Sequence, residues 1–132
     1  MVLVDSNVLI DVMTHDAVWC DWSLAQLRAN KAQDKLTINP MIYAVIAVAF
    51  ESIAELDSFL KPTGIIVTSI SNQTAFFASR AFMRYRKTKG TKTGVLPDFF
   101  IGAQAQAEGW TLLTRDATRY RRYFPEVALI CP

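Results

Sequence analysis

Cysteine and histidine are scarce in this 132-residue chain, which holds only Cys20, Cys131 and a single His15. Two thiols so far apart make neither a disulfide framework nor a zinc site, and they read as packing residues in a reducing compartment. Glycine and proline number five each, and charged residues reach 20% against 52% hydrophobic. That composition excludes a disordered or collagen-like chain. Long apolar runs are missing too: the longest, Met41 to Phe50, has ten residues, about half of what crosses a bilayer. It reads as a buried helix. The opening Met1-Val2-Leu3-Val4-Asp5 lacks a basic leader and sets an acid inside what would be the apolar part of a signal peptide, which argues against export. The expectation is a cytoplasmic protein with no membrane segment, folded as a single domain over residues 1–132. A chain of this size buries roughly two thirds of its unfolded surface without staples.

Short apolar segments alternate with helical patterns, which predicts an α/β protein with a central parallel sheet of about five strands. Val2 to Val4 is the first strand, and Ser6 or Asn7 is placed to cap a helix through Val8, Leu9, Ile10 and Val12. An amphipathic helix is expected over about Val18 to Asn30 and a strand at Leu36-Thr37-Ile38. Asn39-Pro40 then opens a helix from Met41 toward Leu60, stopped by Lys61-Pro62-Thr63-Gly64. Ile65 to Ile70 is strand-like, Ser71 or Asn72 caps a helix reaching about Lys89, and Lys87 to Pro97 reads as a loop. Asp98 is placed to cap a helix Phe99 to Glu108 that Gly109 ends, followed by a strand Thr111 to Thr114 and an edge strand Ala128-Leu129-Ile130.

Three aspartates sit where a short apolar strand or turn gives way to a helix: Asp5, Asp98 and Asp116. Taken singly, Asp98 and Asp116 read as helix caps. Taken together they mean more, because the strand ends of an open parallel sheet face one crevice. Carboxylates that converge there repel one another unless a hard cation sits among them, and Mg²⁺ or Mn²⁺ suits an all-oxygen site. Such a site can activate a water and neutralise the charge developing on a phosphodiester. Ser6, Asn7 and Thr114 are short polar neighbours able to hold a water or a phosphate oxygen, although capping is the commoner job for Ser6 and Asn7.

Charge is divided unevenly. Residues 1–57 carry eight acids against three Lys/Arg, while residues 58–132 carry four acids against eleven. Arg80, Arg84, Arg86, Lys87, Lys89 and Lys92 run without an acid among them, and Arg115, Arg119, Arg121 and Arg122 surround Asp116. Such a run is either a solvated helix face or a rim that tracks phosphates around an acidic centre, gaining affinity by counterion release.

Four ordered segments, Val4-Asp5-Ser6-Asn7-Val8-Leu9-Ile10, Ile38-Asn39-Pro40, Leu96-Pro97-Asp98-Phe99-Phe100-Ile101-Gly102-Ala103 and Leu112-Leu113-Thr114-Arg115-Asp116, resemble the PIN-domain ribonucleases, in particular the VapC-like toxins of type II toxin-antitoxin pairs. The resemblance covers nearly the whole chain. It implies a three-layer α/β/α PIN-like domain that binds Mg²⁺ or Mn²⁺ and cleaves RNA endonucleolytically, leaving a 5′-phosphate and a 3′-hydroxyl. It also implies a homodimer and a cognate antitoxin whose tail enters the active-site groove. The family's metal-binding acids map onto Asp5, Asp98 and Asp116, and the polar helper role in catalysis onto Asn7 and Thr114, with Ser6 beside them. Arg84, Arg86, Lys87 and Arg115 are, by position, the candidates for gripping the RNA backbone.

One departure stands out. The family pattern has a glutamate early in the helix after Ile38-Asn39-Pro40, where this chain has Val45. Glu51 does not replace it, because six residues of helix turn it by about 240° and carry it about 9 Å away. Val45 removes one charge and one oxygen ligand, so metal affinity and rate are both expected to fall. It is either a substitution that abolishes toxicity or the mark of a weakened, binding-only member. Gln104 also stands where many relatives carry histidine. The competing expectation is a catalytically silent module that binds an antitoxin or RNA. An aspartyl-phosphate phosphatase ranks below both, since its pattern needs an acid where this chain has Asn7.

Overall fold

The apolar triplet Val2–Val4 forms β1 and is buried at every residue, as a central strand covered on both faces must be. The computed structural model describes residues 1–88, 90 and 95–132. Lys89, Lys92 and Gly94, part of the expected loop between Lys87 and Pro97, lie outside the described residues. After β1 the chain runs through α1 (Ser6–Met13), α2 (Cys20–Gln33), β2 (Leu36–Ile38), α3 (Pro40–Ala47), α4 (Ile53–Leu60), β3 (Ile66–Val67), α5 (Asn72–Lys87), α6 (Leu96–Glu108), β4 (Thr111–Leu113), α7 (Thr118–Tyr123) and β5 (Leu129–Ile130). The sheet order is β3-β2-β1-β4-β5 and every pairing is parallel.

Each connection between neighbouring strands passes through helix. From β1 the chain steps to β2 and β3 in one direction, then returns past β1 and steps to β4 and β5 in the other. Since such crossovers are right-handed, the two directions put α1 to α4 on one face and α5 to α7 on the other, the three-layer arrangement that was expected. The contacts group α1 with α2 and α3, and α5 with α6 and α7, while α3 also meets α6. The order reverses between β1 and β4, and a crevice opens at such a switch point. Among the described residues no helix is long and apolar enough to cross a membrane.

Several local expectations change. The helix foreseen from Met41 toward Leu60 is two helices, α3 and α4. Ser52 starts the second by accepting from the Glu55 N–H at 3.1 Å, while the Glu55 carboxylate accepts from the Glu51 N–H at 2.8 Å. This is a variant of the capping box, and its Ser-x-x-Glu spacing was visible in the sequence. Asn39 caps α3 as expected, its Oδ1 accepting from the Ile42 N–H at 2.9 Å. The strand at Ile65 to Ile70 shrinks to Ile66–Val67, an exposed edge. The helix expected to follow Asp116 is the short α7. Gly109 does end α6, in the left-handed region at φ 68°, where glycine carries no Cβ penalty.

An aromatic cluster fixes α7 in place. Phe99 on α6 meets Phe82 and Tyr85 of α5 and Tyr123 and Phe124 at the end of α7, with ring centroids 5.3 to 6.2 Å apart. Gly102 lies fully buried beneath the Phe124 ring, and a Cβ there would run into it. The backbone of α6 thus lets α7 approach, which brings residues 119 and 120 to the crevice.

Candidate active site

Asp5 follows β1 directly and is 3% exposed. Its carboxylate accepts from Thr114 Oγ1 at 2.8 Å, Tyr120 Oη at 2.9 Å, and Ser6 Oγ and Asn7 Nδ2 at 3.3 Å each. All four donors are neutral, and among the described residues no Lys, Arg or His is ion-paired with it. Burial raises the Asp5 pKa above its ordinary value; the Thr114 hydrogen bond works against this and the charge of Asp98 adds to it. Tyr120, itself buried, has its hydroxyl pushed well above the usual range by burial and by the Asp5 charge. It is a site residue that sequence reasoning missed. Nothing in its local sequence marks it, because its hydroxyl meets Asp5 only through the docking of α7.

Ser6 and Asn7 do not cap α1. Both side chains are spent on the site instead: Asn7 Nδ2 also donates to Thr114 Oγ1 at 3.2 Å, and Asn7 Oδ1 accepts from the Arg115 N–H at 3.1 Å. Asn7 therefore pins the end of β4 to the start of α1. Thr114 in turn accepts from the Asp116 N–H at 3.2 Å, so one hydroxyl joins the loops that carry Asp5 and Asp116.

Asp98 lies in the first turn of α6 and, contrary to the sequence expectation, does not cap it; the helix starts after Val95. Its carboxylate forms an ion pair with Arg119. Partial burial raises the Asp98 pKa, the Arg119 hydrogen bond and charge pull it down, and the Asp116 charge raises it again. Asp116 is exposed and, contrary to expectation, is not the cap of α7, which starts after Ala117; its Oδ1 accepts from the Thr118 N–H at 3.2 Å in a local turn. Asp98 is thus the middle member, within electrostatic reach of both Asp5 and Asp116. Among the described residues, however, no three His, Cys, Asp or Glu side chains gather closely enough to hold a metal ion by themselves. The donor set is all oxygen and hard. It fits a cation that keeps much of its own water, as Mg²⁺ does when one or two carboxylates hold it, and not a closed protein cage.

Val45 is half-buried on α3, which packs against α1 and α6. Glu51 is exposed and lies beyond α3, which ends at Ala47, so the six residues of continuous helix assumed between it and Val45 are absent. Gln104 is fully buried and structural: it accepts from Asn39 Nδ2 at 2.9 Å and donates to the Ser69 carbonyl at 3.0 Å.

The basic candidates separate. Arg84, Arg86 and Lys87 form the exposed last turn of α5, Arg84 donating to the Tyr123 carbonyl at 3.1 Å. Arg115 is committed elsewhere. Its Nε pairs with the buried Asp11 at 2.8 Å and its guanidinium lies over Trp19, 5.7 Å from the ring centre. Arg119 and Arg122, not singled out as RNA contacts, line a cleft of about 310 Å³ with Asp116, Thr118, Tyr85 and Tyr123.

Fold and crevice together define a PIN-like α/β/α domain. No protein-family model and no curated protein sequence matches this chain, but solved structures do. It is similar to VapBC2 from Rickettsia felis, solved bound to a DNA fragment from their promoter, with TM-score 0.75 and 16% identity over 100% of this chain and 99% of that one. A toxin-antitoxin complex from Klebsiella pneumoniae gives TM-score 0.71 and 21% identity over 97% and 96%. FitAcB from Neisseria gonorrhoeae gives 0.67 and 20% over 98% and 96%. At these identities the likeness establishes the fold.

Proposed function

We propose that this chain is a PIN-like endoribonuclease toxin dependent on Mg²⁺ or Mn²⁺, weakened by Val45, whose partner is a cognate antitoxin protein. The observation that carries the reading is Asp5, a buried carboxylate at the switch point of the sheet with four neutral side-chain donors and, among the described residues, no ion-paired cation. Burying an unpaired charge is costly, and a site that retains one is suited to a cation from solvent. Asp5, Asp98 and Asp116 would hold it. A divalent ion supplies Lewis-acid stabilisation of phosphodiester charge and lowers the pKa of water. Asn7 and Thr114 fix the Asp5 carboxylate and tie it to the Asp116 loop. Arg119 and Arg122, with Arg84, Arg86 and Lys87 on α5, offer positive charge to the backbone of the RNA. The solved toxin-antitoxin complexes with this fold support the antitoxin partner, and an apolar cleft of about 300 Å³ between Leu9, Val12, Leu27 and Phe59, edged by Arg28 and Lys31, offers it a surface. A homodimer is part of the same proposal, and light scattering after size exclusion tests it.

The decisive assay is Mg²⁺-dependent cleavage of total RNA by the wild type and Val45→Glu. Gain of cleavage in Val45→Glu, abolished by adding Asp98→Asn, supports the nuclease; retained cleavage in the double variant removes Asp98 from the mechanism. The second reading, a silent binding module, is favoured by Val45 itself. It predicts RNA binding with a steep salt slope and no products from either protein.

A further inference from the structure

We infer that Arg119 is the resident counter-cation of Asp98, and that a divalent ion and the Arg119 guanidinium compete for that carboxylate. The inference rests on the metal reading above and goes beyond it. The ion pair is the only one in the crevice among the described residues, and both side chains are about one-third exposed, 29% and 33%. The pair is therefore accessible to solvent and breakable, unlike Arg115 with Asp11, whose acid is 2% exposed. The two neighbouring acids are treated differently: among the described residues Asp5 is held by neutral donors, whereas Asp98 is paired with the Arg119 guanidinium. A hard cation approaching Asp5 meets an Asp98 carboxylate whose Oδ2 is already shared with Arg119, so the two positive charges compete for it. The displaced side chain has somewhere to go, since Arg119 also lines the cleft beside Asp116 with Thr118, Arg122 and Tyr123. There it faces the surface on which the proposed RNA backbone would lie. Arg119 is in this sense a positioning residue that trades a carboxylate for a phosphate as the ion enters.

The test is Mn²⁺ alone, titrated by calorimetry into wild type, Arg119→Gln and Arg122→Gln. A partly exposed pair of this kind is worth up to about 1 kcal/mol, so Arg119→Gln should bind Mn²⁺ about fivefold more tightly. Arg122→Gln removes the same charge from the same helix without touching Asp98 and should change Kd by less than about twofold. Equal effects of the two variants, or no gain in Arg119→Gln, overturn the competition. In the wild type itself, the Arg119 Nε–H resonance should move as Mg²⁺ is added; a fixed resonance while the ion binds also overturns it. Absence of binding in all three proteins overturns the metal reading, whereas wild-type binding with an unchanged Arg119→Gln overturns this inference alone.

Discussion

Tyr120→Phe isolates the interaction that links α7 to the candidate site. The ring is 2% exposed, and phenylalanine fills the same space, so the variant loses only the hydroxyl that donates to Asp5 Oδ2 at 2.9 Å. Asp5 Oδ2 keeps Thr114 and Asn7, and the carboxylate is left short of one donor. A hydrogen bond to a charged group contributes about 1.5–3 kcal/mol. For a chain of this length that corresponds to a fall in Tm of roughly 5–12 °C. Urea unfolding at pH 7 should show a lower midpoint at unchanged slope. Protonating Asp5 turns the bond into one between neutral groups, so the deficit should shrink to about 1 kcal/mol in acid. Because burial raises the Asp5 pKa above 3.8, the shrinkage should begin above that pH. A variant as stable as the wild type at pH 7, or a deficit that does not change with pH, refutes the claim that Asp5 is ionised and held by Tyr120.

The same buried charge fixes the sign of a second experiment. With its folded pKa raised above 3.8, Asp5 contributes stability that is complete below that pH and lost as the pH rises through the folded value. Asp5→Asn should therefore melt above the wild type at pH 7 without metal, the gap closing in acid, and saturating Mn²⁺ should raise the Tm of the wild type only; a lower Tm at pH 7 contradicts this. Gly102→Ala drives a methyl into the Phe124 ring and should cost about 1–3 kcal/mol by overpacking, read in thermal melts. Arg115→Ala strands Asp11 with Ser23 as its remaining side-chain partner; allowing for the partly exposed guanidinium, we expect a loss of about 1–3 kcal/mol. RNA affinity should keep its salt slope in that variant, and a slope reduced by about one would return Arg115 to the RNA interface.

Much of the framework was legible because it depends on neighbours in sequence. Val2–Val4, Leu36–Ile38 and Thr111–Leu113 are short, mostly apolar triplets each followed by a polar residue, and Asn39-Pro40 and Gly109 mark helix ends by their own backbone chemistry. The split between α3 and α4 was also written locally, in Ser52 and Glu55, but the apolar run from Met41 to Phe50 masked it. Ser6, Asn7 and Asp98 misled for a physical reason: a short polar side chain beside a helix start satisfies a backbone N–H in isolation, yet here Ser6 turns back to the Asp5 carboxylate, and Asn7 and Asp98 find partners on other elements. Asn7 and Thr114 are 107 residues apart in sequence, and Asp5 and Tyr120 are 115 apart.

Sequence by itself determined the alternation of strand and helix, the positions of the three aspartates at element boundaries, and the loss of an acid at Val45. Those properties follow from patterns only a few residues long. Tertiary structure alone decided that Asp5 is buried among neutral donors, that Arg119 reaches Asp98 while Arg115 turns away to Asp11, and that Tyr120 completes the pocket. Each depends on how α6 and α7 dock across β1 and β4, and docking is governed by the shapes of Gly102, Phe99 and Phe124, which carry no sign of the polar groups they bring together.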